Sequence, residues 1–326
     1  MNRFAVIGLG SIAKRHIKNL RYLYPQSEII AVSSRGKVDS YSKDIDVDIV
    51  TCHIEEAVDF NPTFAIIASP STFHISHALF FLKKNIPVLI EKPVASNLSD
   101  IELLKSCDID YEKLISVGYC LRYLPAAKIV KDFILKDELG KIYNVYAEVG
   151  QFLPTWRSDK NYKNSVSANK TLGGGALLEL SHELDMVSWL VGDLEYLHGY
   201  LRNTTELNLK VEEIADLVLL SKGGAVCNIH LDFIQKKPSR KIKIIGEKGS
   251  LFWDVIENKV IIDCGNSYES LIDNVFYDKN NMYIDMISDF FAKTNNHENS
   301  CITFNESLKI LSLIDKVKEK STWTMI

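Results

Sequence analysis

Two glycines set one step beyond an apolar run constrain this chain more than any other feature of it. Residues 4–10, FAVIGLG, form a strand-like run ending in glycine. Residues 11–24, SIAKRHIKNLRYLY, follow with helical spacing, Ile12, His16, Leu20 and Leu23 lying along one side. The junction, GLGSIA (8–13), has the form G-x-G-x-x-A. Gly8 permits the tight turn, Gly10 lets the backbone approach a pyrophosphate, and Ala13 allows the helix to pack close to the strand. The N–H groups at the helix start then face the phosphates. This pattern predicts a dinucleotide held by Gly8, Gly10, Ser11 and Ile12.

The chain continues in the same rhythm for about 120 residues. Strand-like runs EIIAVSS (28–34), DIVTC (48–52), TFAIIAS (63–69), PVLIEKP (87–93) and LISVGYC (114–120) alternate with helical segments such as HISHALFFLKKN (74–85) and LSDIELLKSC (98–107). Short apolar strands alternating with amphipathic helices predict a doubly wound parallel sheet covered on both faces. Near residue 140 the pattern changes. IYNVYAEVGQFL (142–153) is followed by strands over 194–203, 214–221, 225–234, 240–246, 249–255 and 259–263, with hairpin-length gaps that predict an open, mainly antiparallel sheet. One helix, ALLELSHELDMVSWLV (176–191), interrupts the strands after Gly173, Gly174 and Gly175. Helices over 283–294 and 306–320 end the chain and are expected to pack back on the N-terminal domain. The expected division is an α/β domain over 1–121 and an α+β domain over 122–326.

Composition removes several function classes. The 326 residues carry 42 acidic and 38 basic side chains, a net charge of −4, so no basic excess exists to neutralise nucleic-acid phosphates. No apolar run approaches the roughly 18 residues of a membrane helix. The start, MNRFAVIGLG, has no signal-peptide pattern, and a cytoplasmic location is expected. Six scattered cysteines form no C-x-x-C pair, which fits reduced thiols better than a zinc or redox motif. His74 and His77 have helical spacing but no third ligand, so no metal is expected. His16 reads as a helix–sheet packing residue. The basic run Lys236, Lys237, Arg240, Lys241 and Lys243 reads as a solvated face or an oligomer edge.

The second strand chooses the dinucleotide. An acid about 20 residues past the glycines would bind the adenosine ribose hydroxyls. Here the strand ends Ser33-Ser34-Arg35. An arginine and hydroxyls receive a 2′-phosphate through charge-assisted hydrogen bonds, so NADP is the expected preference, with NAD possible, and Ser34 and Arg35 are the expected contacts.

Four stretches then occur in order: GLGSIA, ASPSTFHISHALFFLKKNIPVLIEKPVA (68–95), VGYCLRYLP (117–125) and GGGALLELSHELD (173–185). Together they resemble the Gfo/Idh/MocA oxidoreductases, the glucose–fructose oxidoreductase and inositol dehydrogenase relatives. The resemblance implies an N-terminal Rossmann domain, a C-terminal domain on an open sheet that commonly serves oligomerisation, and a sugar-like substrate between them. It implies a hydride transfer between nicotinamide C4 and a carbinol or carbonyl carbon. It also implies cofactor contacts from Ser69, Pro70, His74, Glu91 and Lys92.

Lys92, after a strand and before a proline, stands where open α/β sheets place ligands and is the expected group on the reacting oxygen. On the 176–191 helix, Glu179, His182 and Asp185 lie three residues apart. An imidazole titrates near neutrality, which suits proton exchange with a carbinol. The family pattern is Asp-x-x-x-His-x-x-Asp. This chain has Glu179-x-x-His182-x-x-Asp185, so the upstream acid differs in type and spacing. Arg122 and Tyr123 match positions that line the substrate cleft in relatives. The polar run 153–175 offers Trp156, Arg157, Tyr162 and Lys170 as sugar or anion contacts. That run is similar to a branch associated with bacterial surface-sugar pathways. Two further readings stay open: a cofactor-retaining glycosidase with no net redox, and a non-catalytic NAD(P)-binding regulatory protein.

Overall fold

A computed structural model describes residues 1–33, 45–104, 108–156, 161–273 and 276–325. The chain forms two compact units, Met1–Cys120 with Lys279–Leu311, and Leu121–Asp278 with Ser312–Ile326. The earlier part of the first unit contains β1 (Arg3–Ile7), α1 (Ser11–Leu23), β2 (Glu28–Val32), β3 (Ile49–Thr51), α2 (Ile54–Asp59), β4 (Phe64–Ile67) and α3 (His74–Leu82). It continues through β5 (Val88–Ile90), α4 (Leu98–Ile101), α5 (Tyr111–Leu114) and β6 (Ile115–Val117). The six strands are parallel, in the order β3-β2-β1-β4-β5-β6. The order reverses between β1 and β4, the point at which doubly wound sheets bind ligands at their carboxyl ends. The doubly wound parallel sheet expected from the sequence is therefore present.

The second unit holds α6 (Pro125–Leu135), β7 (Ile142–Gly150), α7 (Ala176–Glu179) and α8 (His182–Val191). Seven strands follow: β8 (Leu194–Asn203), β9 (Ile214–Ser221), β10 (Val226–Asp232), β11 (Ser239–Gly246), β12 (Ser250–Asp254), β13 (Lys259–Asp263) and β14 (Tyr268–Asp273). Next come α9 (Asn281–Thr294), in the first unit, α10 (Phe304–Lys320), and β15 (Thr322–Met325), in the second. The second sheet runs β14-β13-β12-β11-β7-β10-β9-β8-β15. It is mainly antiparallel, as expected, but β7 pairs with β10 and β8 with β15 in parallel. Strand periodicity names a strand's faces and not its neighbour, which is why those two pairings were not visible in the sequence.

α9 packs an aromatic cluster into the first unit. The Phe4 and Phe64 rings are 4.7 Å apart, Phe64 and Phe290 5.2 Å, and Tyr24 and Phe291 4.9 Å. In the second sheet Val145, Ala147 and Val149 alternate inward on β7, with Cys227, Ile229 and Leu231 beside them on β10. The opposite face carries Tyr146, Tyr200 and Phe252, each more than a third exposed.

Several expected elements shorten or break. The helix expected over 98–107 is the short α4, capped by the Asn97 side chain on the Asp100 N–H, and residues 105–107 lie outside the described set. The strand over 114–120 shortens to β6. The single helix over 176–191 is two helices. Leu180, at φ −100° and ψ 23°, ends α7, and the Ser181 N–H turns back to Leu178 instead of the residue four before it.

Candidate active site

The turn after β1 is shaped by two glycines with different reasons to be glycine. Gly8 has φ +120°, and a Cβ there would stand 2.5 Å from the Ala68 carbonyl oxygen, so backbone from β1 and β4 closes on it. Gly10 has φ −73°, which any residue adopts, and nothing among the described residues lies within 4 Å of its would-be Cβ. The protein's own packing does not require glycine there. A side chain would instead stand over the first N–H groups of α1, whose start has no side-chain cap and no acidic residue in its first turn. Ser11 and Ile12 begin that turn. These residues fit a dinucleotide, since an uncapped helix start over open glycine is a pyrophosphate cradle. Ser34 and Arg35 lie outside the described residues; Ser33 is buried and donates its N–H to Thr51 O.

The ends of β4 and β5 are tied together by a histidine. His74 is buried, its Nδ1 2.8 Å from Pro93 O and its Nε2 2.8 Å from Ser69 O. Burial pushes its pKa down, against the pull of the two carbonyls. Both ring nitrogens face carbonyl oxygens of the chain itself, which places the His74 ring as a brace between two loops. His77 adds an Nδ1 contact of 3.0 Å to Ser69 Oγ, steadying the turn that leads to the partly exposed Pro70.

Glu91 is likewise internal. Its Oε1 is 2.7 Å from His16 Nε2, and its Oε2 accepts the Lys92 N–H at 3.2 Å. Burial would raise the Glu91 carboxyl, but the His16 hydrogen bond and charge, with the Lys92 charge, hold it below its ordinary value. Its carboxylate packs against Gly118, where any Cβ would lie 3.3 Å away. His16 therefore does more than pack. It joins α1 to the segment that carries Lys92, itself partly exposed and followed by a cis Lys92–Pro93 bond.

In the second unit two of the three glycines before α7 are crowded. A Cβ on Gly174 would lie 2.5 Å from Val166 O, and one on Gly175, at φ +114°, 2.2 Å from the Glu212 carboxylate. Glu212 caps α7, its Oε1 taking the Leu177 N–H and its backbone carbonyl the Ala176 N–H. Burial pushes the Glu212 carboxyl up.

Because the helix breaks, Glu179, His182 and Asp185 do not form one i, i+3 line. Glu179 ends α7 and accepts Ser167 Oγ at 2.8 Å. His182 opens α8 and is partly exposed. Asp185 is 1% exposed and is gripped by Arg122, Nε to Oδ2 at 3.0 Å and Nη2 to Oδ1 at 2.6 Å. Asp185, from the helix expected to carry the acid–base chemistry, and Arg122, expected to line a substrate cleft, thus form a buried ion pair with each other.

Tyr123 is buried. Trp156 lies edge-on to Phe233 at 5.4 Å and donates Nε1–H to Gln151 O. Tyr162 donates its hydroxyl to Leu207 O at 3.1 Å, and Lys170 is exposed. Arg157 lies outside the described residues.

Two residues of α8's surroundings were missed by the sequence reading. Glu183, 3% exposed, accepts both arms of Arg240, Nε to Oε1 at 2.6 Å and Nη2 to Oε2 at 3.1 Å. Arg240 had been grouped with a solvated basic run. Its strand alternation with the buried Ile242 and Ile244 was the available signal that it faces inward.

Comparison with known proteins places these features in context. Residues 2–119 match the Gfo/Idh/MocA oxidoreductase model with its NAD-binding Rossmann fold, and residues 128–252 match the Gfo/Idh/MocA C-terminal domain. Glucose-6-phosphate 3-dehydrogenase of Bacillus subtilis is 23% identical over 99% of this chain and 97% of its own length. An inositol 2-dehydrogenase of Rubrobacter xylanophilus is 23% identical over 76% of this chain and 69% of its own. Among solved structures, levoglucosan dehydrogenase in complex with NADH superposes with a TM-score of 0.82 at 17% identity, covering 98% of this chain and 96% of that one. The WlbA dehydrogenase of Bordetella pertussis, in complex with NADH and UDP-GlcNAcA, superposes with a TM-score of 0.79 at 20% identity, covering 98% and 95%.

Proposed function

The chain belongs to the Gfo/Idh/MocA family of oxidoreductases, with an NAD-binding Rossmann domain, and on that premise we propose that its substrate is a sugar, polyol or nucleotide sugar oxidised or reduced at a CH–OH carbon. The observation that carries this reading lies in the first unit. The open glycine turn at the start of α1 and the Lys92 segment sit at the carboxyl ends of one parallel sheet. The backbone contact of Gly8 with Ala68 and the bridge of His74 from Ser69 to Pro93 connect them. A nicotinamide, when bound, supplies hydride exchange at its C4. Lys92 donates a hydrogen bond to the reacting oxygen and stabilises negative charge developing there. His182 takes the carbinol proton in oxidation and returns it in reduction. The relatives named for glucose 6-phosphate, inositol and levoglucosan support a sugar-like substrate.

We propose NADP as the preferred dinucleotide, because in the sequence Ser33-Ser34-Arg35 follows the second strand with hydroxyls and a guanidinium where an acid would select NAD. We also propose that copies of the chain associate through the open face of the nine-stranded sheet. A concavity of about 750 Å³ there is lined by Tyr146, Tyr200, His230, Lys243 and Phe252. Sedimentation of the purified protein tests this, and a monomer at all concentrations overturns it. No helix of the described residues is long and apolar enough to cross a membrane.

The experiment for the activity is a binding titration with NADPH and NADH, followed by nicotinamide absorbance with glucose 6-phosphate, myo-inositol, levoglucosan and UDP-GlcNAcA. NADPH is expected to bind about tenfold or more tightly, as the loss of one charge-assisted contact implies. Equal or tighter NADH binding overturns the preference. Cleavage of a glycoside without absorbance change supports the redox-neutral alternative instead.

A further inference from the structure

His182 is the first helical residue of α8. In the same turn the Glu183 N–H reaches back to Leu180 O at 3.3 Å and the Asp185 N–H to Ser181 O at 3.1 Å. Ser181, which precedes it, makes no side-chain cap. Yet the two acids of this same turn, Glu183 and Asp185, are both buried, and each meets an arginine fork from a different element. Arg122 precedes α6 and holds Asp185 at 2.6 and 3.0 Å. Arg240, on β11, holds Glu183 at 2.6 and 3.1 Å. The far end of α8 is fixed as well, Lys131 of α6 donating to Trp189 O at 2.5 Å. Planar forks on carboxylates fix direction as well as distance, which a single ammonium does not.

We propose that the Arg240–Glu183 pair is a positioning device for His182, holding the first turn of α8 so that the imidazole is presented in one orientation. The proposal rests on the acid–base reading of His182 given above. Arg240 and Glu183 act through the backbone of α8 and are positioning residues. The turn has one fork on the residue after His182 and a second on the residue three beyond it. Loss of either removes one of the two charged anchors of this turn, and leaves its direction to the remaining fork and the buried Leu184 and Val187. Glu183 adjoins His182 directly, so its fork has the shorter lever.

The Arg240→Met enzyme alone strands a buried carboxylate and can fail to fold. The decisive variant therefore removes both partners, Glu183→Leu with Arg240→Met, an exchange of a buried ion pair for apolar side chains that commonly leaves stability intact. Three measurements are made on the full-length protein: melting temperature, steady-state kinetics with the panel sugar that the wild type turns over, and the linewidth of the His182 ¹³Cε1–¹H signal in histidine-labelled protein. That signal is assigned by its loss in His182→Asn. The double variant is expected to fold, to lose about 10- to 100-fold in kcat with KM and NADPH affinity within about threefold, and to show a broadened imidazole signal. Arg240→Lys, which keeps the charge and loses the fork, is expected to fall between.

A folded double variant with wild-type kcat and an unbroadened signal overturns the clamp. A His182→Asn enzyme that retains full turnover overturns the acid–base reading instead, and the clamp then stands or falls on the imidazole signal alone.

Discussion

The starts of α1 and α8 are both helix N-termini without a side-chain cap, and they meet the positive end of the helix in opposite ways. α1 has no acid in its first turn, and open space stands over Gly10. α8 fills its own first turn with Glu183 and Asp185 and neutralises both with arginines. A helix start left without an internal anion is suited to an external one. A helix start filled from within is a rigid mount whose chemistry must come from a side chain. The first unit thus offers backbone to a ligand, and the second holds a residue with buried charge.

The sharpest break between the two is in activity. Lys92→Met and His182→Asn remove the side chains proposed to touch the substrate and leave the α1 turn intact. Each is expected to lower kcat about 10²- to 10⁴-fold, while the NADPH dissociation constant stays nearly unchanged in His182→Asn and rises no more than about tenfold in Lys92→Met, for the one cofactor contact it loses. Rapid-mixing kinetics and a fluorescence titration measure the two quantities. Nucleotide affinity that falls in parallel with kcat would erase the distinction between backbone-held ligand and side-chain chemistry.

The next test makes α1 resemble α8. Ser11→Asp puts an acid in the empty first turn. It is expected to stabilise the nucleotide-free protein by about 0.3–1 kcal/mol through the helix dipole, and to weaken NADPH binding about 10- to 100-fold by repelling the phosphates. Gly10→Ala, unstrained at its φ of −73°, is expected to cost affinity and not stability. Gly8→Ala, at φ +120° and against Ala68 O, is expected to cost about 1–3 kcal/mol of stability even without nucleotide. Thermal shift with and without NADPH separates the three. A Ser11→Asp protein that binds NADPH as the wild type does removes the anion-cradle argument.

The same contrast explains what could be read from the sequence. A backbone-built site is local, and the spacing of Gly8, Gly10 and Ala13 is visible within six letters. The carboxyl-end position of Lys92 followed from strand alternation in the same way. The forks of α8 join residues 63 and 57 positions apart, so no local spacing records them. Arg240 was legible in principle, since it alternates with Ile242 and Ile244, but the surrounding lysines hid it. The break at Leu180 was not legible, because Leu177, Leu180, Leu184, Val187 and Val191 keep helical spacing straight through it. α6 was missed although Pro125 at its first turn and the buried Ala126, Ala127 and Val130 mark it plainly. The short α2 buries only Ala57 and carries almost no periodic signal.

The smallest expected effect is on pH, and it follows from the second unit's reliance on charge. His230 on β10 lies 2.6 Å from Asp216 on β9 and 3.0 Å from Asp232 on its own strand. Arg202 on β8 pairs with Asp216 as well. The hydrogen bond donated to Asp216, then that donated to Asp232, pushes the His230 pKa up to about 9 against the cost of burial. In the unfolded chain an imidazole titrates near 6.5. The stabilisation is therefore complete below about pH 6.5 and is lost as pH rises through about 9. The side chain is 35% exposed, so solvent screening cuts the effect to on the order of 1 kcal/mol. That is a fall of about 2–4 °C in melting temperature across this window. A His230→Gln protein is expected to lack that slope and to bind NADPH as the wild type does, since the nucleotide turn belongs to the other unit. An unchanged slope in the variant would mean that the alkaline loss arises elsewhere, and that the charge cluster on the sheet contributes nothing measurable to holding it.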